Sequence, residues 1–405
     1  MFELIRANNR RAAVLVAAMA ALLFVTGYAV GEVLAPGGGL LGTAVALVVW
    51  LGMTATSWFA GDKIVLGLSR ARKIEKKDHP VLWNVVEEMC VASGLAKMPD
   101  VYIIDEDAPN AFATGRDKDH AAVAVTAGLL ETLTRDELQG VVAHELAHVN
   151  NRDVLYMTLV GVMLGSIVVL ADVGTRVLWY GGGRRRTSSS SDRGGSGALI
   201  AVVAIVLMIA APIVAQLMYF AISRRREYLA DACGAVYTRY PEGLAGALEK
   251  IAGSTTPLHV ATRATAPMYI VNPLRSLKGG MSALARTHPP TEERVRILRS
   301  LAGGPLSMQR YESAFRQVTG RAVGVVPAGS LAALEEVAAR REPTPDSRSR
   351  TERVRETTDA LWQLQRFAFL ACACGTTLKV PPVYRGRTIP CPHCDTPLTS
   401  PAAGD

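Results

Sequence analysis

Two pairs of long apolar runs constrain this chain more than anything else in it. Ala12 to Leu34 is apolar over a membrane-spanning length, and Leu40 to Ala60 follows after only Pro36 and a few glycines, so the two read as a helical hairpin. A signal peptide is the competing reading, but the first run is longer than a typical signal core and is followed at once by the second. Farther on, Val154 to Ala171 has about the minimum spanning length and Gly197 to Ile222 is a clear spanning candidate. Between these two lie Gly181-Gly182-Gly183-Arg184-Arg185-Arg186 and four serines, a flexible linker by composition.

Charge gives the hairpins a direction. Arg6, Arg10 and Arg11 precede the first hairpin, Lys63, Arg70, Arg72, Lys73, Lys76 and Lys77 follow it, and its turn carries no basic residue. Both outer ends are therefore expected in the cytoplasm. If the third and fourth runs both cross, the Arg-rich loop lies outside, against the same rule, so a third run that only dips into the membrane stays open. In either case the hairpin returns the chain to the side it left. With 49% hydrophobic residues and a mean hydropathy of +0.20, the chain is too apolar for an ordinary soluble domain. The excess of 44 Lys+Arg over 36 Asp+Glu sits in short clusters beside apolar runs rather than among aromatics, which argues for orientation and against nucleic-acid binding.

Between the hairpins the pattern is that of a folded polar domain. His79 to Gly94 reads as an amphipathic helix with Val81, Leu82, Val85 and Met89 on one face. Val101–Asp105 and Ala121–Thr126 read as strands, and Asn110, Ala111, Phe112 and Ala113 as an edge strand that an extended peptide can join. A plain hairpin strand followed by a turn is the alternative. Then comes His144-Glu145-Leu146-Ala147-His148, on a helix signalled by the capping box Thr134-Arg135-Asp136-Glu137 and by Leu138, Val142 and Val149. The i, i+4 spacing puts both imidazoles on one helix face, one turn apart, where they can share zinc. Glu145 is offset by about 100° around the axis, which suits a general base that does not compete for the metal. Two hydrogen-bonded histidines on an amphipathic helix would be the unremarkable alternative.

The second hairpin returns Ser223-Arg224-Arg225-Arg226-Glu227-Tyr228-Leu229-Ala230-Asp231. An open zinc site needs a third protein ligand, and Glu227 is the candidate. Asp231, one turn on, is placed to take the second ring N–H of a ligating histidine.

Taken together, these segments resemble the HtpX family of membrane-bound zinc metalloproteases, relatives of the CAAX prenyl proteases. The likeness runs from about Arg6 to Leu298 and includes Asn110-Ala111-Phe112-Ala113-Thr114-Gly115-Arg116, Ala121-Val123-Val125-Thr126, the segment Thr134 to Asp153, Arg226-Glu227-Tyr228 with Asp231, and Thr287-His288-Pro289-Pro290 with Arg294. The resemblance implies an α-helical membrane protein whose mainly α, gluzincin-like protease domain carries a small β-sheet and faces the cytoplasm at the cell's inner membrane. It also implies Glu227 as third zinc ligand, Asn110 to Ala113 as the substrate strand, His288 as an oxyanion donor, Arg294 beside Asp231 behind the ligands, and quality control of misfolded or membrane proteins. With zinc on His144, His148 and Glu227, Glu145 would take a proton from water and pass it to the leaving amine.

The last hundred residues fall outside the likeness. Leu306 to Ala338 is mixed, with a helix expected at Ser330 to Arg341, and Arg340 to Glu356 reads as a mobile charged linker. Cys90 and Cys233 stand alone, whereas Cys372, Cys374, Cys391 and Cys394 form two thiol pairs that resemble a short zinc ribbon. The first pair is C-x-C, so His393 is an alternative ligand to one cysteine. Such a site is structural and would fold some thirty residues that cannot build a core unaided. Expected boundaries are therefore a membrane hairpin to 62, a first protease part from 63 to 153, a second hairpin from 154 to 222, a second protease part from 223 to 303, a variable linker from 304 to 360 and a ribbon from 361 to 405. Two function classes remain: a membrane zinc endopeptidase acting on polypeptides, and a non-catalytic zinc-binding adaptor that recruits a partner through its ribbon. An intact Glu145 favours the first, since a scaffold needs no base there.

Overall fold

The computed structural model describes residues 2–35, 37–181, 196–262, 265–273, 288–322, 324–325, 336–340, 342–344 and 346–401. Helices α1 (Phe2–Leu34) and α2 (Gly39–Leu68) form the expected hairpin. They approach so closely that a Cβ on Gly42 would stand 2.2 Å from the Gly27 carbonyl oxygen, the small-residue packing by which apolar helices associate in lipid. After the short strand β1 (Arg72–Lys73) comes α3 (Pro80–Ser93). The Leu82 amide donates to His79 Nδ1 at its start, and Gly94, with φ +69°, ends it in the left-handed conformation.

Strands β2 (Asp100–Ile104), β3 (Ala111–Gly115) and β4 (Ala121–Thr126) complete a four-stranded sheet of order β1-β2-β4-β3. β2 pairs parallel with β4, and β3 is the antiparallel edge, with Phe112 opposite Ala124. Every residue of β4 is buried. One face of the sheet, including Val101, Val123 and Val125, packs into the main helical core, and the other, including Phe112 and Ala124, packs on Leu66 of α2 and on Tyr269.

Two helices follow: α4 (Ala127–Thr132) and α5 (Arg135–Asn150), the second with the Thr134–Glu137 capping box in place. Helix α6 (Asp153–Gly181) is longer than the apolar run that announced it, and α7 (Ser196–Thr238) is one continuous helix of 43 residues. Stretches of α1, α2, α6 and α7 are each long and apolar enough to cross a membrane. The Arg- and Ser-rich loop between α6 and α7 falls on residues 182–195, outside the described residues. Helices α8 (Pro241–Gly253), α9 (Thr291–Ser300) and α10 (Met308–Thr319) close the core around α5 and the end of α7.

Beyond residue 303 the structure departs from expectation. Helix α10 is capped by Ser307 and ended by Gly320, and its Tyr311 and Phe315 are core residues. Of the helix expected at 330–341, residues 330–335 and 341 lie outside the described residues, and Val337 instead forms a bridge with Leu306. The charged segment after it, expected to be mobile, is held by ion pairs and hydrogen bonds. Arg340 donates to Asp136 (2.6 Å), as does the Thr344 amide (2.6 Å), and the Arg135 amide at the start of α5 donates to Asp346 (3.1 Å). Helix α11 (Arg350–Leu364), begun by a Ser349–Glu352 capping box, packs on α4. Two hairpins, β5 (Ala368–Ala371) with β6 (Thr377–Val380) and β7 (Thr388–Pro390) with β8 (Pro397–Thr399), end the chain.

Gly140 lets α5 touch α8: a Cβ there would sit 2.6 Å from the Leu244 amide nitrogen and 2.7 Å from Leu244 Cα. Backbone cannot give way as a flexible side chain can. Gly140→Ala is expected to destabilise the fold by about 1–3 kcal/mol, read as a lower unfolding midpoint of the detergent-purified protein. An unchanged midpoint would show that the helices are not so close.

Candidate metal centre

The centre forms where α5 crosses the end of α7, at Gly234, whose missing side chain leaves only 3.3 Å between a notional Cβ and the His144 amide nitrogen. Helical spacing puts His144 and His148 on the α5 face that meets α7, with ring centroids 4.7 Å apart. From α7, Glu227 reaches between them: Oε1 lies 3.4 Å from His148 Nε2 and Oε2 lies 3.7 Å from His144 Nε2. The two Nε2 atoms are 3.2 Å apart, and one donor atom from each of the three residues falls within 4.8 Å of the others.

Carboxylates hold the far sides of both rings. His144 Nδ1 lies 3.0 Å from Asp231 Oδ1 and His148 Nδ1 lies 2.9 Å from Asp153 Oδ2. A carboxylate there keeps the proton on Nδ1 and leaves the Nε2 lone pair aimed inward. Three lone-pair donors so aimed, two imidazoles and a carboxylate, fit a zinc ion, and they leave a further coordination position open. In the sequence Asp153 stands only as the end of a motif, with no role of its own. The signal for it was an acid at the very start of an apolar run, and Arg226, preceding Glu227, is its hydrogen-bonded partner.

Arg294 of α9, 1% exposed, is a buried cation on the Asp231 side of the cluster. It donates through Nε and Nη2 to both oxygens of Asp231, at 2.8 and 2.7 Å, while Nη1 lies 3.3 Å from Glu227 and 3.2 Å from the Ile270 carbonyl. His288 stands at the entry to α9 with Nδ1 3.0 Å from Glu227 Oε2, and its Nε2 is buried without a hydrogen-bond partner.

Glu145 is 2% exposed and its Oε1 has no hydrogen-bond partner. Burial pushes its carboxyl up to about 7, against the pull of His148 and of the Ala113 amide. Burial also lowers His144, despite Asp231. For His148 the same burial is outweighed by Asp153 and Glu227, which raise it well above the usual imidazole range.

The four residues read as a substrate strand are placed differently from one another. The Asn110 carbonyl accepts from the Thr126 amide (3.0 Å), so main-chain groups of Asn110, Phe112 and Thr114 point to β4 and those of Ala111 and Ala113 point away. The Ala111 carbonyl is taken by the Ile270 amide (2.9 Å), the Asn110 side chain donates to the Val271 carbonyl (2.8 Å), and Phe112 is fully buried against Tyr269. Ala113 alone of the four turns its main chain toward Glu145 without another described partner.

A second cluster lies in the terminal hairpins. Cys372 Sγ is 3.4 Å from Cys394 Sγ, Cys374 Sγ is 3.7 Å from Cys391 Sγ, and all four fall within 4.8 Å of one another. Tetrahedral zinc with bonds of about 2.3 Å would separate its sulfurs by about 3.8 Å, so this group could hold a metal too. His393 is exposed and is not part of that group.

The chain is similar to known peptidases. Peptidase family M48 matches residues 76–302, more than half of the chain. A protease HtpX homolog from Dictyoglomus thermophilum is 43% identical over 303 residues, covering 74% of this chain and 94% of that protein. One from Thermoanaerobacter pseudethanolicus is 41% identical over 305 residues, covering 74% and 98%. The crystal structure of S. mikatae Ste24p aligns with a TM-score of 0.39 at 16% identity, over 69% of this chain and 62% of that one. Of the two function classes left by the sequence, these relatives decide for the enzyme: the chain belongs to peptidase family M48 and is a membrane metalloprotease.

Proposed function

We propose that the chain is a zinc endopeptidase of protein quality control, cleaving misfolded or membrane proteins at the cytoplasmic face of the cell's inner membrane. The observation that carries this reading is the meeting of His144, His148 and Glu227 within 4.8 Å, with the buried Glu145 carboxyl beside them. Zinc held by those three residues would supply a Lewis acid for the scissile carbonyl and for the attacking water.

The chain's own groups then divide the remaining work. Ala113 pairs its outward main chain with the substrate, fixing the scissile bond against Glu145. Glu145 accepts the proton of the attacking water and delivers it to the leaving amine. His288, buried and with a free Nε2, donates to the carbonyl oxygen as negative charge develops there. Asp231 and Asp153 orient the two imidazoles, and Arg294 holds Asp231 in place through two hydrogen bonds. The basic residues outside both ends of the first hairpin favour a cytoplasmic catalytic face. The cysteine cluster would hold a second, structural zinc that folds the ribbon.

Three measurements test the assignment. Glu145→Gln, purified in detergent, should keep its zinc but lose casein cleavage by about 10²-fold or more; a variant that retains full proteolysis excludes Glu145 as the base. Chelation should abolish wild-type cleavage as well. Asp231→Asn should weaken zinc binding by about 10–100-fold in a competition titration, and unchanged affinity would remove Asp231 from the support of His144.

A further inference from the structure

The crossing of α5 and α7 at Gly234 has a second attachment, on the side away from the metal centre. Glu227 lies seven residues before Gly234, about 10 Å along α7, and His148 lies one turn beyond His144. On the opposite side, Asp136 stands eight residues before His144, about 12 Å along α5, and α7 gives way to the next helix at Arg239, five residues past Gly234. Arg340 touches both of these helix ends. It belongs to the chain beyond residue 302, where the family match stops.

Its contacts are polar and close. The Arg340 guanidinium donates to Asp136 Oδ1 (2.6 Å) and stacks over the Tyr240 ring at 4.7 Å, while its amide donates to the Arg239 carbonyl (2.8 Å). The Thr344 amide takes the other Asp136 oxygen (2.6 Å), and Arg340 also donates to the Thr344 hydroxyl. Asp136 is 6% exposed, so water cannot stand in for these partners, and a buried carboxylate that loses its cation is strongly unfavourable. On the α7 side, Arg239 is held in the left-handed conformation (φ +55°), which a non-glycine residue keeps only where its surroundings fix it.

Two helices in close contact at one point can rock about it, and a metal site tolerates little rocking. A rotation of about 3° moves a group about 10 Å from the pivot by about 0.5 Å, whereas metal–ligand distances must hold to about 0.2 Å. We infer that Arg340 is a positioning residue for the metal centre: by clasping the start of α5 to the end of α7, it fixes the crossing on which His144, His148 and Glu227 converge. The inference rests on the zinc reading above and adds to it a lever on the far side of the pivot.

Cobalt(II) titration of the metal-free, full-length protein in detergent tests this. Thiolate ligands give cobalt charge-transfer bands that imidazole and carboxylate ligands do not, so the cysteine cluster is read separately as an internal reference. Arg340→Ala should weaken cobalt binding at His144, His148 and Glu227 by about tenfold and leave the thiolate site at its wild-type affinity. Arg340→Lys, which keeps the cation for Asp136, should lose less, and it carries the same comparison should Arg340→Ala not fold. Arg299→Ala, which removes an ion pair with Glu249 (2.7 Å) that joins α9 to α8 rather than α5 to α7, should leave both sites unchanged. Unchanged affinity at the histidine site in the Arg340 variants, or an equal loss at both sites, overturns the clasp; so does an equal loss in Arg299→Ala. A wild type that binds cobalt through thiolates alone overturns the zinc-peptidase reading itself.

Discussion

The buried ion pair between Asp231 and Arg294 is the interaction on which the rest depends. Both groups are almost wholly out of water, and removing two charges from water costs several kcal/mol each unless geometry compensates. Here it does: the guanidinium donates to both carboxylate oxygens and lies between Glu227 and the Ile270 carbonyl. One side chain thereby joins α7, α9 and the segment that grips the start of β3. Asp231 spends its second role on His144, so the position of the α5 imidazole is set by a charge pair that α5 does not itself contain.

Membrane anchoring and site geometry are not separable in this protein. Helix α7 continues unbroken from an apolar, spanning portion into the turns that carry Glu227 and Asp231, and α6 opens with Asp153, the partner of His148. Both members of the second hairpin thus contribute at the metal centre. Phe112 and Tyr269 pack the other face of the sheet on α2, so the first hairpin supports the edge strand. A peptidase built this way ties the position of its reactive groups to the helices that can cross the bilayer.

Much of this was legible in the sequence because it rests on local rules. Spanning runs, the Thr134–Glu137 capping box, the His79 and Gly94 ends of α3 and the i, i+4 histidines each announce themselves within a few residues. Glu227 needed only the parity of a hairpin and the ligand count of zinc. What escaped depends on long-range partners. Arg340 to Glu356 has the composition of a mobile linker, yet its charges match Asp136 and the first amide of α5, which no window of sequence brings together. Asn110 looked like a substrate contact, and only the fold places its side chain on Val271. Helix α10 falls in the stretch Leu306 to Ala338 that reads as mixed, although Ser307 and Gly320 mark its two ends.

If α5 and α7 share one ion, anomalous diffraction at the zinc edge, from crystals of the Glu145→Gln protein, should show it. The expected result is a peak within about 2.0–2.2 Å of His144 Nε2, His148 Nε2 and a Glu227 oxygen, besides any peak among the four cysteines. A peak on the histidines with Glu227 out of reach, or no peak on α5 at all, would contradict it.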